Sequence, residues 1–208
     1  MTDNFYKDIK FVKNPDDILV LVNKNNRLPS NFIPSDLVPI DPKYANEGKL
    51  VREEVKIWFE KLSNDAKNLG YKIIAISAFR DFNYQEQLYN YYAETKGQKE
   101  ADLISARPGH SEHQTGLAVD VEGSNNNYNE FDKSIEFEWM KNNAHKYGFI
   151  LRYPKNKEKI TGFKYEPWHY RYVGKEAANI IYHKNLTLEE YHRLYLKKNR
   201  LLCFSICF

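Results

Sequence analysis

Cysteine is nearly absent from this chain of 208 residues: there are 2, Cys203 and Cys207, both inside the last six positions. Neither can join a cysteine-based metal site or staple a core, so a disulfide scaffold is excluded. Net charge is also scarce. Lys and Arg total 31 against 28 Asp and Glu, and the balance of +3 is too small to argue for nucleic acid by bulk electrostatics. No apolar run approaches the ~18 residues that span a bilayer. Residues 1–8 show neither a basic n-region nor an apolar h-region. As written, the chain is therefore expected in the cytoplasm, or at the cell envelope if a leader has been removed. There is no internal repeat and no low-complexity block.

Aromatic residues are plentiful. With 16 Tyr, 12 Phe and 42% hydrophobic residues, the chain can bury a core, which excludes wholesale disorder. Five of its eight prolines (Pro15, Pro29, Pro34, Pro39, Pro42) fall between residues 14 and 44. Proline cannot continue a helix or a central strand, so residues 1–45 read as an extended arm packed on a core, with one strand-like piece at Ile18–Val22. Residues 46–198 read as the main domain. Residues 199–208 form a short apolar tail, expected to be a docked or frayed terminus.

Within the domain, Leu50, Val51, Val55, Trp58, Phe59, Leu62 and Ala66 recur at helical spacing, predicting a helix over 46–69 ended by Gly70. A buried strand is expected at Tyr71–Ser77, and a helix at 83–97 with Tyr84, Leu88 and Tyr91 on one face. A loop follows at 107–116, then a strand at Leu117–Val121 and a polar loop at 122–129. Further along come a helix at 135–147 capped by Gly148, strands at 149–151 and 168–173, and helices near 174–184 and 188–198. Thr187 with Glu190 has the spacing of a capping box. The irregular crossovers favour an α+β fold: a small domain with a central antiparallel sheet flanked by helices.

Three groups carry chemistry. In Ser111-Glu112-His113-Gln114-Thr115-Gly116-Leu117-Ala118-Val119-Asp120, a turn at Gly116 followed by extended chain can bring His113 and Asp120 to one point, and both are good Zn2+ ligands. On spacing alone, a surface His and a turn Asp are the commoner arrangement. In Glu166-Pro167-Trp168-His169-Tyr170-Arg171-Tyr172, an extended, Pro-fixed segment can let Glu166 and His169 flank one metal. The same run also reads as an aromatic edge strand with Trp168 and Tyr170 in the core. Both readings can hold, because alternate residues face opposite ways. Arg80 stands just past a buried strand, where a cation can stabilise an oxyanion. An exposed Arg paired with Asp81 is the commoner reading.

Together these residues resemble a known family. Ser111-x-His113-x-x-Gly116-x-Ala118-x-Asp120 followed by Glu166-x-x-His169 is similar to the zinc signature of the D-alanyl-D-alanine metallopeptidases of VanY and VanXY type, grouped with VanX-type dipeptidases and hedgehog-like folds. Residues 108–120 are similar to the family's first motif throughout, residues 147–154 and 165–174 resemble its second half, and Arg80 with Gln85 resembles its Arg-x-x-x-x-Gln element. Several linked motifs in order are far more specific than any one alone.

The resemblance implies a site. His113, Asp120 and His169 would bind one Zn2+ per chain, with Glu166 as general base and acid. Arg80 would stabilise the transition state. Ser111 would help hold the substrate carboxylate, and Gln85 and Trp168 would line the same pocket. It implies a zinc D,D-carboxypeptidase, with or without D,D-dipeptidase activity, acting on peptidoglycan stem peptides or D-Ala-D-Ala-containing precursors, with no nucleic-acid or stable protein partner. An L,D-carboxypeptidase trimming tetrapeptide stems shares these motifs, as does a phage-type endopeptidase. A catalytically inactive, metal-stabilised binding module is the non-enzyme alternative. Ala78-Phe79 before Arg80 departs from the family's commoner Gly-Tyr.

Overall fold

The computed structural model describes residues 5–196; the expectations for the Cys203/Cys207 tail lie outside them. Eight short strands are present among the described residues: β1 Lys10–Phe11, β2 Asn26–Arg27, β3 Leu37–Pro39, β4 Leu50–Arg52, β5 Ile74–Ser77, β6 Ala118–Glu122, β7 Phe149–Leu151 and β8 His169–Tyr172. The α-helices are α1 Glu53–Asn68, α2 Phe82–Lys96, α3 Gln98–Ile104, α4 Ile135–Asn143, α5 Glu158–Thr161, α6 Lys175–His183 and α7 Leu188–Tyr191. The central sheet has the order β5-β6-β8-β7, and every pairing in it is antiparallel. This is the expected α+β arrangement.

The sheet has two chemically different faces. Val119 and Val121 of β6, Tyr170 and Tyr172 of β8 and Phe149 of β7 belong to the main core. Helix α1 packs there because Val55, Phe59, Leu62 and Ala66 repeat at helical spacing and are all buried. Glu53 and Glu54 in its first turn and Lys67 in its last suit the helix dipole. The alternating residues Asp120, His169 and Arg171 carry the polar groups to the other face.

Several expectations need correcting. The first helix begins at Glu53 rather than near 46, because Leu50–Arg52 pairs with Leu37–Pro39 as a strand. On α2 the buried residues are Gln85 and Tyr89, whereas Tyr84 and Tyr91 are exposed. Helix α3 falls in a stretch, 98–104, for which the sequence predicts no element; Gly97, at φ 81°, turns the chain sharply between α2 and α3. The helix expected over 135–147 tightens to a 3-10 turn after Asn143, and the last helix turns into a π-type turn at His192–Leu196. The Thr187/Glu190 capping box forms in full.

Ile18–Val22 forms no strand. Instead, the Ile18 and Val20 carbonyls accept from Arg171 Nη2, both at 2.9 Å. A side chain thus satisfies backbone groups that a neighbouring strand would otherwise satisfy. The same segment reaches the core through Val20 and Val22. Nearby, Leu28 N–H donates to Gly109 O, and Gln114 Nε2 donates to the Pro29 and Phe32 carbonyls, tying residues 28–32 to the segment around His113.

Candidate metal and catalytic site

The β6–β8 register pairs Asp120 directly with His169, so both project from adjacent strands on one face. His113 enters from a 3-10 turn, Glu112–Thr115, whose N-cap Ser111 accepts from the His113 N–H. Gly116 ends that turn at φ 66° and passes the chain into β6. The left-handed φ favours glycine here, and a β-carbon at Gly116 would stand 2.9 Å from Leu37 Cδ2 and 3.0 Å from Arg52 Cγ, so both side chains would have to give way.

His113 Nε2 lies 3.3 Å from Asp120 Oδ2, and His169 Nδ1 lies 3.3 Å from Asp120 Oδ1. One ligand atom from each of the three residues falls within 4.8 Å of the others. His113 Nδ1 donates to the Ala78 carbonyl at 2.6 Å, which leaves Nε2 with a free lone pair. His113 Nε2 and Asp120 Oδ1 are buried without a hydrogen-bond partner. Two imidazoles and one carboxylate turned to a common point fit a zinc ion with one coordination position left open.

Glu166 Oε2 lies 3.4 Å from His169 Nδ1. The backbone N–H of Glu166 donates to Tyr153 O at 3.1 Å, which anchors the segment before Pro167. Arg80 does not pair with Asp81. Its Nη1 lies 3.8 Å from Asp120 Oδ2, and its backbone N–H donates to His113 O. Asp81 instead caps α2 by accepting from the Tyr84 N–H. Gln85 Nε2 donates to Ser105 Oγ and the Ala106 carbonyl, and its Oε1 is buried without a partner. Trp168 is half-buried rather than in the core, with its ring edge-on to Tyr128 at 5.1 Å. The structure brings all eight sequence-derived residues together: Arg80, Gln85, Ser111, His113, Asp120, Glu166, Trp168 and His169 line one cavity of about 310 Å³.

Burial lowers the His113 pKa to about 4, with Arg80 acting in the same direction, so this ring is neutral and able to ligate. Burial opposes ionisation of Asp120, but His113 when protonated, together with His169, outweighs it and holds the carboxylate well below its usual range. Burial pushes Glu166 up, only partly countered by His169 and Arg80. A carboxyl held above its usual range suits a group that both takes and returns a proton.

The sequence motifs assign no role to Glu112, Tyr153, Arg152 or Arg171. Glu112 Oε1 accepts from Arg152 Nε at 2.8 Å and from Arg171 Nη1 at 2.7 Å, and all three side chains are fully buried. The Tyr153 ring lies 4.9 Å from that of His169. All four residues sit inside the stretches that resemble the family. The available signal was the charge of three of them within segments otherwise destined for the core.

Comparison with known proteins agrees with this geometry. The VanY family model, described as D-alanyl-D-alanine carboxypeptidase, matches residues 48–175. YodJ of Bacillus subtilis (strain 168), which carries a carboxypeptidase name, is 43% identical over 204 residues, covering 92% of this chain and 75% of that protein. The solved structure of the LdcB LD-carboxypeptidase has a TM-score of 0.84 at 44% identity, covering 89% of this chain and 90% of that one. The D,D-pentapeptidase VanY in complex with Zn(II) has a TM-score of 0.70 at 34% identity, covering 86% of this chain and 99% of that one. With a family match over most of its length and the family's residues gathered in one buried site, the chain belongs to the VanY D-alanyl-D-alanine carboxypeptidase family and is a metallopeptidase.

Proposed function

We propose that the protein is a zinc-dependent carboxypeptidase that removes the C-terminal D-amino acid of peptidoglycan stem peptides or D-Ala-D-Ala-containing precursors. The observation that carries this reading is the buried set of His113, Asp120 and His169 with Glu166 at its edge. His113 Nε2, Asp120 and His169 Nδ1 would hold one zinc ion. When bound, zinc would acidify a water molecule and polarise the scissile carbonyl.

The chain's own residues supply the rest. Glu166 takes a proton from the attacking water and returns one to the departing amine. Arg80, next to Asp120, offers its guanidinium to the oxygen that gains charge in the transition state. Ser111 and Gln85 wall the cavity where the substrate terminus would sit, and Trp168 forms part of its rim.

One observation favours a second reading. The similarity to the LdcB LD-carboxypeptidase, in both identity and TM-score, exceeds that to the zinc-bound VanY. An L,D-carboxypeptidase acting on tetrapeptide stems is therefore the alternative. D-alanine release by the zinc-loaded protein on D-Ala-D-Ala, a stem pentapeptide and a stem tetrapeptide separates the two. Release from the pentapeptide is expected. Release from the tetrapeptide alone would move the protein to the L,D reading, and silence on all three would remove the carboxypeptidase assignment.

A further inference from the structure

We propose that Glu112 is a positioning residue for the metal centre: its buried carboxylate takes the Nε2–H of His169 and so presents Nδ1 of that ring, unprotonated, to the metal. The inference rests on the reading of His169 as a ligand. His169 Nδ1 faces Asp120 and Glu166, at 3.3 and 3.4 Å. Its other nitrogen, Nε2, lies 3.7 Å from Glu112 Oε2. Neither Nε2 nor Oε2 has another hydrogen-bond partner, and both are buried. Two orphaned polar atoms of complementary type thus face each other slightly beyond hydrogen-bond distance, and a small side-chain shift joins them.

The rest of the Glu112 environment explains why this carboxylate is held so firmly. Its Oε1 is claimed by both Arg152 and Arg171. Arg152 is held in turn by Glu189 through two hydrogen bonds, at 2.7 and 3.0 Å, and Arg171 by the Ile18 and Val20 carbonyls. Two buried arginines are therefore offset by two glutamates, and Glu112 is fixed from several segments at once. A role confined to this ion-pair cluster would leave Oε2 as a buried, unsatisfied acceptor, which is costly. A bond to His169 removes that cost. The two histidines then follow one design with different acceptors: His113 is oriented by a backbone carbonyl and His169 by a carboxylate. Such an acceptor fixes the tautomer and makes the ring a stronger donor to the metal.

The test uses the 15N-labelled, zinc-loaded full chain. Long-range 1H–15N spectra of the imidazoles assign the proton of His169, and competition with a chelator of known strength gives zinc affinity. In the wild type, the proton should sit on Nε2 and exchange slowly with solvent. Glu112→Gln should lose that protection and bind zinc about 10–100-fold more weakly. Turnover of this variant should recover substantially at saturating zinc. Glu112→Asp keeps the charge between the arginines while withdrawing the oxygen from His169. It should weaken zinc in the same way, and it decides the matter if Glu112→Gln fails to fold. A proton on Nδ1 in the zinc-loaded wild type, or unchanged zinc affinity in a folded variant, would overturn the role of Glu112 and leave the metal reading intact. A wild type that binds no zinc overturns both.

Discussion

Glu166 sits where burial makes ionisation costly, yet within 3.4 Å of a ring that interacts with the same metal-facing carboxylate. In the proposed reaction it carries protons and holds no metal. Glu166→Gln should therefore keep its zinc while kcat falls about 10²–10⁴-fold; zinc content and turnover on a stem pentapeptide check this, and near-normal kcat would remove Glu166 from the mechanism. His110 makes a different prediction. Its Nδ1 donates to Asn23 O at 2.8 Å, and burial lowers its pKa from 6.5 to about 4. Between those values the unfolded chain binds a proton that the folded chain refuses, so this contribution to stability is complete above about pH 6.5 and is lost as pH falls towards 4. The stability difference between the wild type and His110→Gln in urea titrations should narrow from pH 7 to pH 4.5, by on the order of 1–3 kcal/mol. A difference constant across that range would show that His110 titrates normally in the folded state.

Strand pairing and one turn set the metal-facing geometry. The Asp120↔His169 register places two candidate ligands side by side, and the turn ended by Gly116 aims the third at them. Gly116→Ala combines a left-handed φ with contacts of 2.9 and 3.0 Å to Leu37 and Arg52. It should lower stability by about 1–3 kcal/mol and weaken zinc binding together; wild-type zinc affinity in this variant would show that the turn does not aim His113. Much at this scale was legible in the sequence. The apolar run at 117–121 and the aromatic run at 168–173 read as strands and form β6 and β8, and Thr187 with Glu190 marks a helix start. Other elements were not legible, because their cause is distant. Leu50 and Val51 fit a helical stripe as well as a strand, and only pairing with Leu37–Pro39 makes them β4. Ile18–Val22 has strand composition, but its carbonyls meet a guanidinium in place of a strand.

At the scale of the whole molecule, the polar face of the sheet joins segments from most of the described chain. Residues 18–32 bind Arg171, His110 and Gln114, while Glu189 of α7 holds Arg152. Zinc bound at that junction should stabilise the entire fold, by about 2.7 kcal/mol at a free concentration 100-fold above its Kd. Chelation should then lower the Tm by roughly 5–10 °C; calorimetry with and without a chelator measures it, and an unchanged Tm would mean that the site binds no metal under those conditions. The sequence by itself determined the residue types, their order and the two-residue alternation within each strand, since these follow from local covalent geometry; the β6–β8 pairing then put Asp120 and His169 on one face. Only the tertiary structure decided which atoms remain unclaimed at the site, that Trp168 lies half-buried at its rim, and that Glu112 stands behind His169. Those outcomes depend on burial and on partners far along the chain: Glu112 meets Arg152 and Arg171 across 40 and 59 residues. A sequence motif records such residues but not the contacts that give them their charge state and direction.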